Sequence, residues 1–273
     1  MDANLRRIAW ARRLDVLDMI CAAGTGHIGG DMSCMDILVC LYYRVMDTQR
    51  ILRNAPDRDR LFLSKGHNAE ALYAVLSDCG FFHKNLLNTY AKMDTALAQH
   101  PTRKVPGVEA ATGSLGHGLA LGVGTALGLK ESVPDAHVYV LMGDGEQAEG
   151  SVWEAAMAAG KFGLTQLTAI VDRNRLQISG DTECVMPLDD LAAKYRAFGW
   201  HTVVCDGHDP DALTEALLMR DPARPVAVIA QTHKGYGSAV MQDQAGWHHS
   251  VPDALQAEEI RKDLMARMAL CGR

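Results

Sequence analysis

His137-Val138-Tyr139-Val140-Leu141-Met142-Gly143-Asp144-Gly145 is the stretch that decides the fold. Its first six residues are almost all apolar, do not alternate with polar ones, and stop at a Gly-Asp-Gly turn. Such a run predicts a strand at 137–142 that is covered on both faces, as in a parallel sheet, rather than one with a wet side. Residues 146–160 read as a helix, so the turn joins the carboxyl end of a strand to a helix N-terminus. Glycines at 143 and 145 let backbone approach an anionic group, and a helix N-terminus favours negative charge. Asp144 between them offers a hard carboxylate oxygen.

The same pattern recurs on either side. Strands are predicted at 61–63, 167–172, 201–205 and 226–230. A helix runs through Ala71, Leu72, Val75 and Leu76, a small-residue helix covers about 115–130, and another helix spans 188–198. A further helix starts at Asp209-Pro210, by the Asp cap and the proline at the first helical position. Near the N-terminus, Trp10, Leu14, Leu17 and Cys21 recur at helical spacing, and the glycines from Gly24 to Gly30 end that helix. Ser33 followed by Asp36 predicts a capping box that opens a second helix carrying Leu38, Leu41, Tyr42 and Val45. Residues 92–114 read as irregular. Strands alternating with helices define an α/β fold, a parallel sheet covered by helices on both faces, as one domain over residues 1–273. Ligands in such sheets sit at the carboxyl ends of the strands.

Composition narrows the function. With 27 Lys+Arg against 33 Asp+Glu, the formal charge of −6 excludes the basic footprint of a nucleic-acid or anionic-membrane binder. No apolar run has membrane-spanning length, and the charged N-terminus is no signal peptide. Seven cysteines without a C-x-x-C give no disulfide framework and no zinc knuckle. A reducing, cytoplasmic compartment is expected. Cys21, Cys34 and Cys40 read as buried packing.

Asn174 lies at the end of the strand that follows Asp144, in Val171-Asp172-Arg173-Asn174-Arg175-Leu176. Neighbouring parallel strands bring two such tips to one crevice. A carboxylate, an amide oxygen and a backbone carbonyl form an incomplete oxygen shell, suited to Mg²⁺ once a diphosphate and water complete it. A Gly-Asp-Gly alone is only a turn. Paired with Asn174 in this order of elements, it resembles the diphosphate–metal signature of thiamine diphosphate enzymes.

From Arg6 to Pro252 the chain resembles the N-terminal, diphosphate-binding half of transketolases. The ordered motifs are Gly26-His27-Ile28-Gly29-Gly30, Ser64-Lys65-Gly66-His67, His100-Pro101, and Pro106-Gly107-Val108-Glu109. Thr112-Gly113-Ser114-Leu115-Gly116-His117-Gly118 follows, then Gly143-Asp144-Gly145 with Glu149-Gly150, Asn174, and Trp247-His248.

The resemblance implies roles. Asp144, Asn174 and the carbonyl of Leu176 would hold Mg²⁺, or Ca²⁺ or Mn²⁺ in its place. Gly143 and Gly145 would face the diphosphate of thiamine diphosphate, with Gly145 donating its N–H. Gly113 and Leu115 would lie against the aminopyrimidine. His27, His67 and His248 would line a sugar channel, His67 and His248 also near the diphosphate, and His100 would bind the donor ketose. Imidazoles suit that work because they bond hydroxyls and phosphate and move protons near neutral pH. Glu149 would help position a catalytic glutamate of the partner subunit. His117 is a cofactor neighbour or a plain helix start. His248 and His249 can exchange roles. Lys234, in Thr232-His233-Lys234-Gly235-Tyr236-Gly237, reads equally as a phosphate contact or a solvated loop lysine. Arg103 and Lys104 read as a contact for an anionic substrate end or as a solvated pair. Arg173 departs from relatives that have Asn or an acid there. His83, His137, His201 and His208 read as ordinary core or surface histidines.

Single-chain transketolases continue into a pyrimidine-binding domain that carries the activating glutamate. The resemblance therefore implies a split enzyme, inactive as this chain alone. Its partner would be a C-terminal subunit with that domain, two copies of each assembling with cofactors at the interfaces. The reaction implied is transfer of a two-carbon ketol unit from a ketose phosphate to an aldose. The alternatives are a decarboxylating relative, like deoxyxylulose-phosphate synthase or a 2-oxo acid dehydrogenase, and a non-catalytic cofactor-binding paralogue.

Overall fold

A computed structural model describes residues 3–133 and 135–271; the remaining positions of the 1–273 domain reading lie outside them. In chain order the elements are α1 (Ala3–Ala23), α2 (Ile28–Cys40), α3 (Thr48–Leu52), β1 (Arg60–Leu63), α4 (Ala69–Asp78), α5 (His117–Leu129) and β2 (Val138–Gly143). Next come α6 (Gly150–Phe162), β3 (Leu167–Arg173), β4 (Leu176–Gln177), β5 (Gly180–Asp181), α7 (Thr182–Val185), α8 (Leu191–Ala197), β6 (His201–Asp206), α9 (Pro210–Leu218), β7 (Val226–Gln231) and α10 (Ala254–Leu270).

Five strands form one parallel sheet in the order β1-β2-β3-β7-β6. Successive residues of a strand point to opposite faces, and here both faces are dry. Tyr139, Leu141 and Ile170 join a core built with α1, α2, α4, α9 and α10. Val138, Val140, Met142, Leu167 and Ala169 join a second core under α5, α6 and α8. That is why β2 reads as a continuous apolar run, and it bears out the fold expected from it. Gly143 pairs with Asp172, which pairs in turn with Ala230, so the carboxyl ends of β2, β3 and β7 finish level.

The boundaries differ from expectation in three places. The second helix starts at Ile28, not Ser33, with His27 as its N-cap. Ser33 is inside it and donates to the carbonyl of Gly30 and to Asp172 Oδ2. Gly29 and Gly30 lie inside the helix at places where a Cβ would strike the Trp247 carbonyl and the Asn68 side chain. The helix after Asp144 is broken into a 3₁₀ turn at Gly145–Ala148 and α6, with Glu149 extended between them. The helix expected at 188–198 is trimmed to α8. Besides the main sheet, β4 and β5 form a two-residue antiparallel ladder, and α10 packs on the α1 side. Cys34 and Cys40 are buried as expected, but Cys21 is exposed, on the outer side of α1.

Among the described residues, no helix is long and apolar enough to cross a membrane. None of the seven cysteines is in a disulfide.

Candidate active site

The ends of the strands meet at Asp172. Its Oδ2 pairs with Lys65 Nζ at 2.5 Å and accepts from Ser33 Oγ at 2.5 Å, while Oδ1 accepts from the Thr232 hydroxyl. Lys65 follows β1 and Thr232 follows β7, so one buried carboxylate ties three strand ends and α2 together. Burial pushes the Asp172 carboxyl up, but Lys65 outweighs it and holds the group below the usual range.

Beside this knot, Asp144 caps the Gly-Asp-Gly turn. Its Oδ1 accepts from the Gly145 N–H at 2.8 Å, and its Oδ2 accepts from the Arg175 N–H at 2.5 Å and from Arg173 Nη1 at 3.1 Å. Burial first, and then Asp172, raises its carboxyl above the ordinary value. Asn174 Oδ1 accepts from the Leu176 N–H at 3.1 Å, which folds the loop so that Leu176 faces the same space. Glu146 braces the turn from beneath, accepting from the N–H groups of Gly143 at 3.0 Å and Gly116 at 2.8 Å and from the Ser64 hydroxyl.

A cavity of about 370 Å³ opens over these groups. His27, His67, Gly113, Leu115, Gly143, Asp144, Gly145, Asn174, Leu176 and His248 all line it. The sequence thus places ten of its expected site residues around one space. His100 lies at the rim, its ring 6.2 Å from that of His27. Gly113 has φ +139°, and a Cβ there would stand 2.6 Å from the His100 ring, so the missing side chain lets the imidazole in. Glu149 and His117 are exposed and outside the lining. Arg103 lines a separate surface cavity with Phe81 and Glu109, and both it and Lys104 are exposed.

His27 is the hub of the imidazoles. Ring centroids stand 5.2 Å away for His67, 5.8 Å for His248 and 4.6 Å for His249. His248 faces the cavity; His249 turns outward, 3.4 Å from Thr25 Oγ1, which in turn lies 3.2 Å from Gln99. Burial, reinforced by neighbouring rings and lysines, pulls His27 to about 4 and His248 to about 3, and drives His67 well below the ordinary range. These three rings are neutral at pH 7, so each has one nitrogen to donate and one to accept.

Lys234 settles into the cavity wall, Nζ 3.0 Å from His248 Nδ1. It is 2% exposed, which removes the solvated-loop reading. Burial and then Lys65 lower its ammonium to about 8. Arg173 is also buried and bridges Asp144 to Glu183 at 2.5 Å and to Thr182 Oγ1 at 2.6 Å. His208 bonds Asp36 Oδ2 at 2.7 Å and stacks on Tyr236, a packing role.

Lys65, Glu146 and Asp172 are site residues that sequence reasoning passed over. The signal for Asp172 was an acid ending an otherwise apolar strand, and for Lys65 a lysine at the tip of β1.

These residues fit a metal diphosphate. Asp144 remains a desolvated acid beside a second acid even with Arg173 against it, a cost that a cation would relieve. Lys234 is a desolvated cation that an anion relieves. No cluster of three His, Cys, Asp or Glu side chains among the described residues could hold a metal, in keeping with an oxygen set of one carboxylate, one amide and one carbonyl that needs a ligand's oxygens to complete it.

Comparison with known proteins agrees with the geometry. The family described as "Transketolase, thiamine diphosphate binding domain" matches residues 5–268, and the chain belongs to that family. It is 42% identical to one of the subunits of an apulose-4-phosphate transketolase from Phocaeicola vulgatus, over 94% of this chain and 92% of that one. It is 39% identical to a 6-deoxy-6-sulfo-D-fructose transketolase subunit from a Clostridium species, over 85% and 86%. Among solved structures, transketolase from Pichia stipitis with sedoheptulose 7-phosphate superposes with a TM-score of 0.85 at 28% identity. This chain covers only 45% of that one. The enzyme class is that of a transketolase subunit, spanning the diphosphate-binding portion.

Proposed function

We propose that the chain is the diphosphate-binding half of a split transketolase, moving a two-carbon ketol unit from a ketose phosphate to an aldose acceptor. The observation that carries this is the single cavity in which Asp144, Asn174 and Lys234 stand beside the neutral imidazole cluster. Asp144, Asn174 and the Leu176 carbonyl would hold Mg²⁺, with Ca²⁺ or Mn²⁺ able to replace it. Gly143, Gly145 and Lys234 would bind the diphosphate, and Gly113 and Leu115 would support the aminopyrimidine. Thiamine diphosphate, when bound, supplies the nucleophilic carbon and the electron sink for breaking and forming the carbon–carbon bond.

This chain's own residues then handle the sugar. His27, His67 and His248 donate to hydroxyls and move protons at the ketose carbonyl and its neighbouring hydroxyl, work for which neutral rings are ready at pH 7. His100 at the rim binds the first hydroxyls of the donor, and His249 with Thr25 and Gln99 extends that polar lip. The substrate class is a sugar with an anionic end, as the names of the two similar proteins have it.

A partner completes the enzyme. Relatives of matching length are themselves named as transketolase subunits. The activating glutamate of the family would come from a C-terminal subunit with the pyrimidine-binding domain, in an assembly of two copies of each. Exposed Glu149 would meet it. Seven cysteines outside disulfides favour a cytoplasmic setting.

The test is a two-carbon transfer assay on this chain with the partner it draws from its own cells, supplied with thiamine diphosphate and Mg²⁺. Donors to try are apulose 4-phosphate, 6-deoxy-6-sulfo-D-fructose and common ketose phosphates. Transfer by the complex and none by the chain alone is expected. Release of carbon dioxide from a 2-oxo acid, without ketol transfer, would replace this reading with a decarboxylating one.

A further inference from the structure

His27 is central to the imidazole cluster, yet its buried Nδ1 has no hydrogen-bond partner among the described residues. A working imidazole is ordinarily aimed by a hydrogen bond to its second nitrogen. Here the main chain does the aiming. The His27 N–H donates to Glu70 Oε1 at 3.1 Å, and the His27 carbonyl accepts from Asn68 Nδ2 at 3.1 Å. Both side chains come from the segment that follows His67. A parallel bridge to Ser250 ties the other side of His27 to the strand-like stretch after His248 and His249.

The clamp is built in. Glu70 is fully buried, and its Oε1 also takes the Tyr90 hydroxyl at 2.6 Å. Gly26 has φ +154°, and a Cβ there would stand 2.7 Å from Glu70 Oε1; one on Gly30 would stand 2.6 Å from Asn68 Oδ1. The two glycines that flank His27 therefore admit these two side chains. Across from Glu70, on α2, Asp31 is equally buried, its Oδ1 accepting from the Ala71 N–H at 3.1 Å. Burial pushes Glu70 up to about 7, and burial and then Glu70 push Asp31 up further from its usual range. Two buried acids and an amide are an expensive way to fill a core that apolar side chains would fill more stably. Two of the three, Glu70 and Asn68, bond the main chain of one residue, His27.

We propose that Glu70 and Asn68 are positioning residues, a two-sided clamp on the His27 main chain that sets where its imidazole meets the sugar. The inference rests on the reading of His27 as a sugar-facing group. Glu70 does not line the cofactor cavity, so its effect should separate from cofactor binding.

The experiment uses the complex of this chain with its own partner, loaded with thiamine diphosphate and Mg²⁺. In Glu70→Ala, kcat/KM for the donor ketose should fall about 10- to 100-fold, the scale of a misplacement near 1 Å. Cofactor Kd should stay within about twofold. Glu70→Gln keeps an acceptor oxygen and should restore kcat/KM to within about threefold of wild type. Asn68→Ala should behave like Glu70→Ala, and it carries the test if Glu70→Ala does not fold. Crystal structures of the variants should show the His27 ring displaced in both alanine variants and in place in Glu70→Gln. A ring that stays in place in the alanine variants overturns the clamp, as does Glu70→Gln failing as badly as Glu70→Ala, or a parallel loss of cofactor affinity. Absence of ketol transfer by the wild-type complex would refute the functional reading instead, and the ring position would still judge the clamp.

Discussion

Asp144 already accepts three N–H donors, and it is still a desolvated acid next to another acid. Asp144→Ala should remove metal-dependent binding of thiamine diphosphate, by more than the roughly 100-fold that changes behind a metal ligand cost. Calorimetry with Mg²⁺ and with EDTA would read it; unchanged binding would sink the metal assignment. His100→Ala, by contrast, should spare cofactor affinity and weaken donor use, because its ring stands at the rim. Lys234 gives the site a pH dependence whose sign is fixed. Its ammonium is charged below about 8 and neutral above, so diphosphate affinity should fall as pH rises through that value. Titrations at pH 7 and pH 9 should differ for wild type and agree for Lys234→Ala. Acid acts on the imidazoles. Their folded values lie below the unfolded 6.5, so the stability they contribute is present above pH 6.5 and is lost as pH falls toward 4. A urea midpoint that holds constant over that window would contradict the burial of neutral rings.

Elements that are buried on both sides announce themselves. β2 and β3 are legible because every residue from Val138 to Met142 and from Leu167 to Val171 is dry. α10 is not, because along its seventeen residues only Ile260 and Leu264 are buried and the rest mixes charge and apolar groups without a clear stripe. Its start is a capping box of Asp253 with Gln256, the motif expected instead at Ser33 and Asp36. Asp36 has other work. Burial pushes its carboxyl up, but Arg13 and His208 prevail and hold it at about 2. Arg13 is fully buried and grips it through two bonds, at 3.2 and 2.6 Å. Asp36→Ala would leave that buried guanidinium its bonds to the Met32 carbonyl but no counter-charge, and should cost about 3–5 kcal/mol, read by urea unfolding. On the other face, a Cβ on Gly160 of α6 would run into the carbonyl of Phe198. Gly160→Ala should therefore destabilise the chain despite the better helix propensity of alanine, since the fault is a backbone clash.

On the scale of the whole molecule, α5 and α6 present apolar side chains outward. Leu121 and Leu127 are about 40% exposed, and Met157 and Phe162 of α6 are 49% exposed. Leu121→Asp should leave the chain folded and prevent capture of its partner, measured by light scattering of the mixture. A complex of undiminished mass would move the interface elsewhere. The division between what the sequence tells and what it hides follows the same logic. His27, His67, His100 and His248 were legible through ordered motifs, each anchored near a strand or helix end. Glu70 and Asn68 were not, since they matter only through partners distant in the chain, and no spacing rule joins residue 70 to residue 27.

Arg173 has one more consequence. It links the carboxylate of Asp144 to Thr182 and Glu183 in α7, while Ile178 on the same loop lines the cavity. The next residue along, Cys184, is an exposed free thiol. Cys21 is exposed too, but burial raises its thiol, which leaves it less thiolate with which to react. An environment-sensitive dye coupled at Cys184 would thus sit on the lever that runs from the Asp144 carboxylate to the surface. The chain carries its own attachment point for an optical probe of cofactor loading, with no residue introduced to make one.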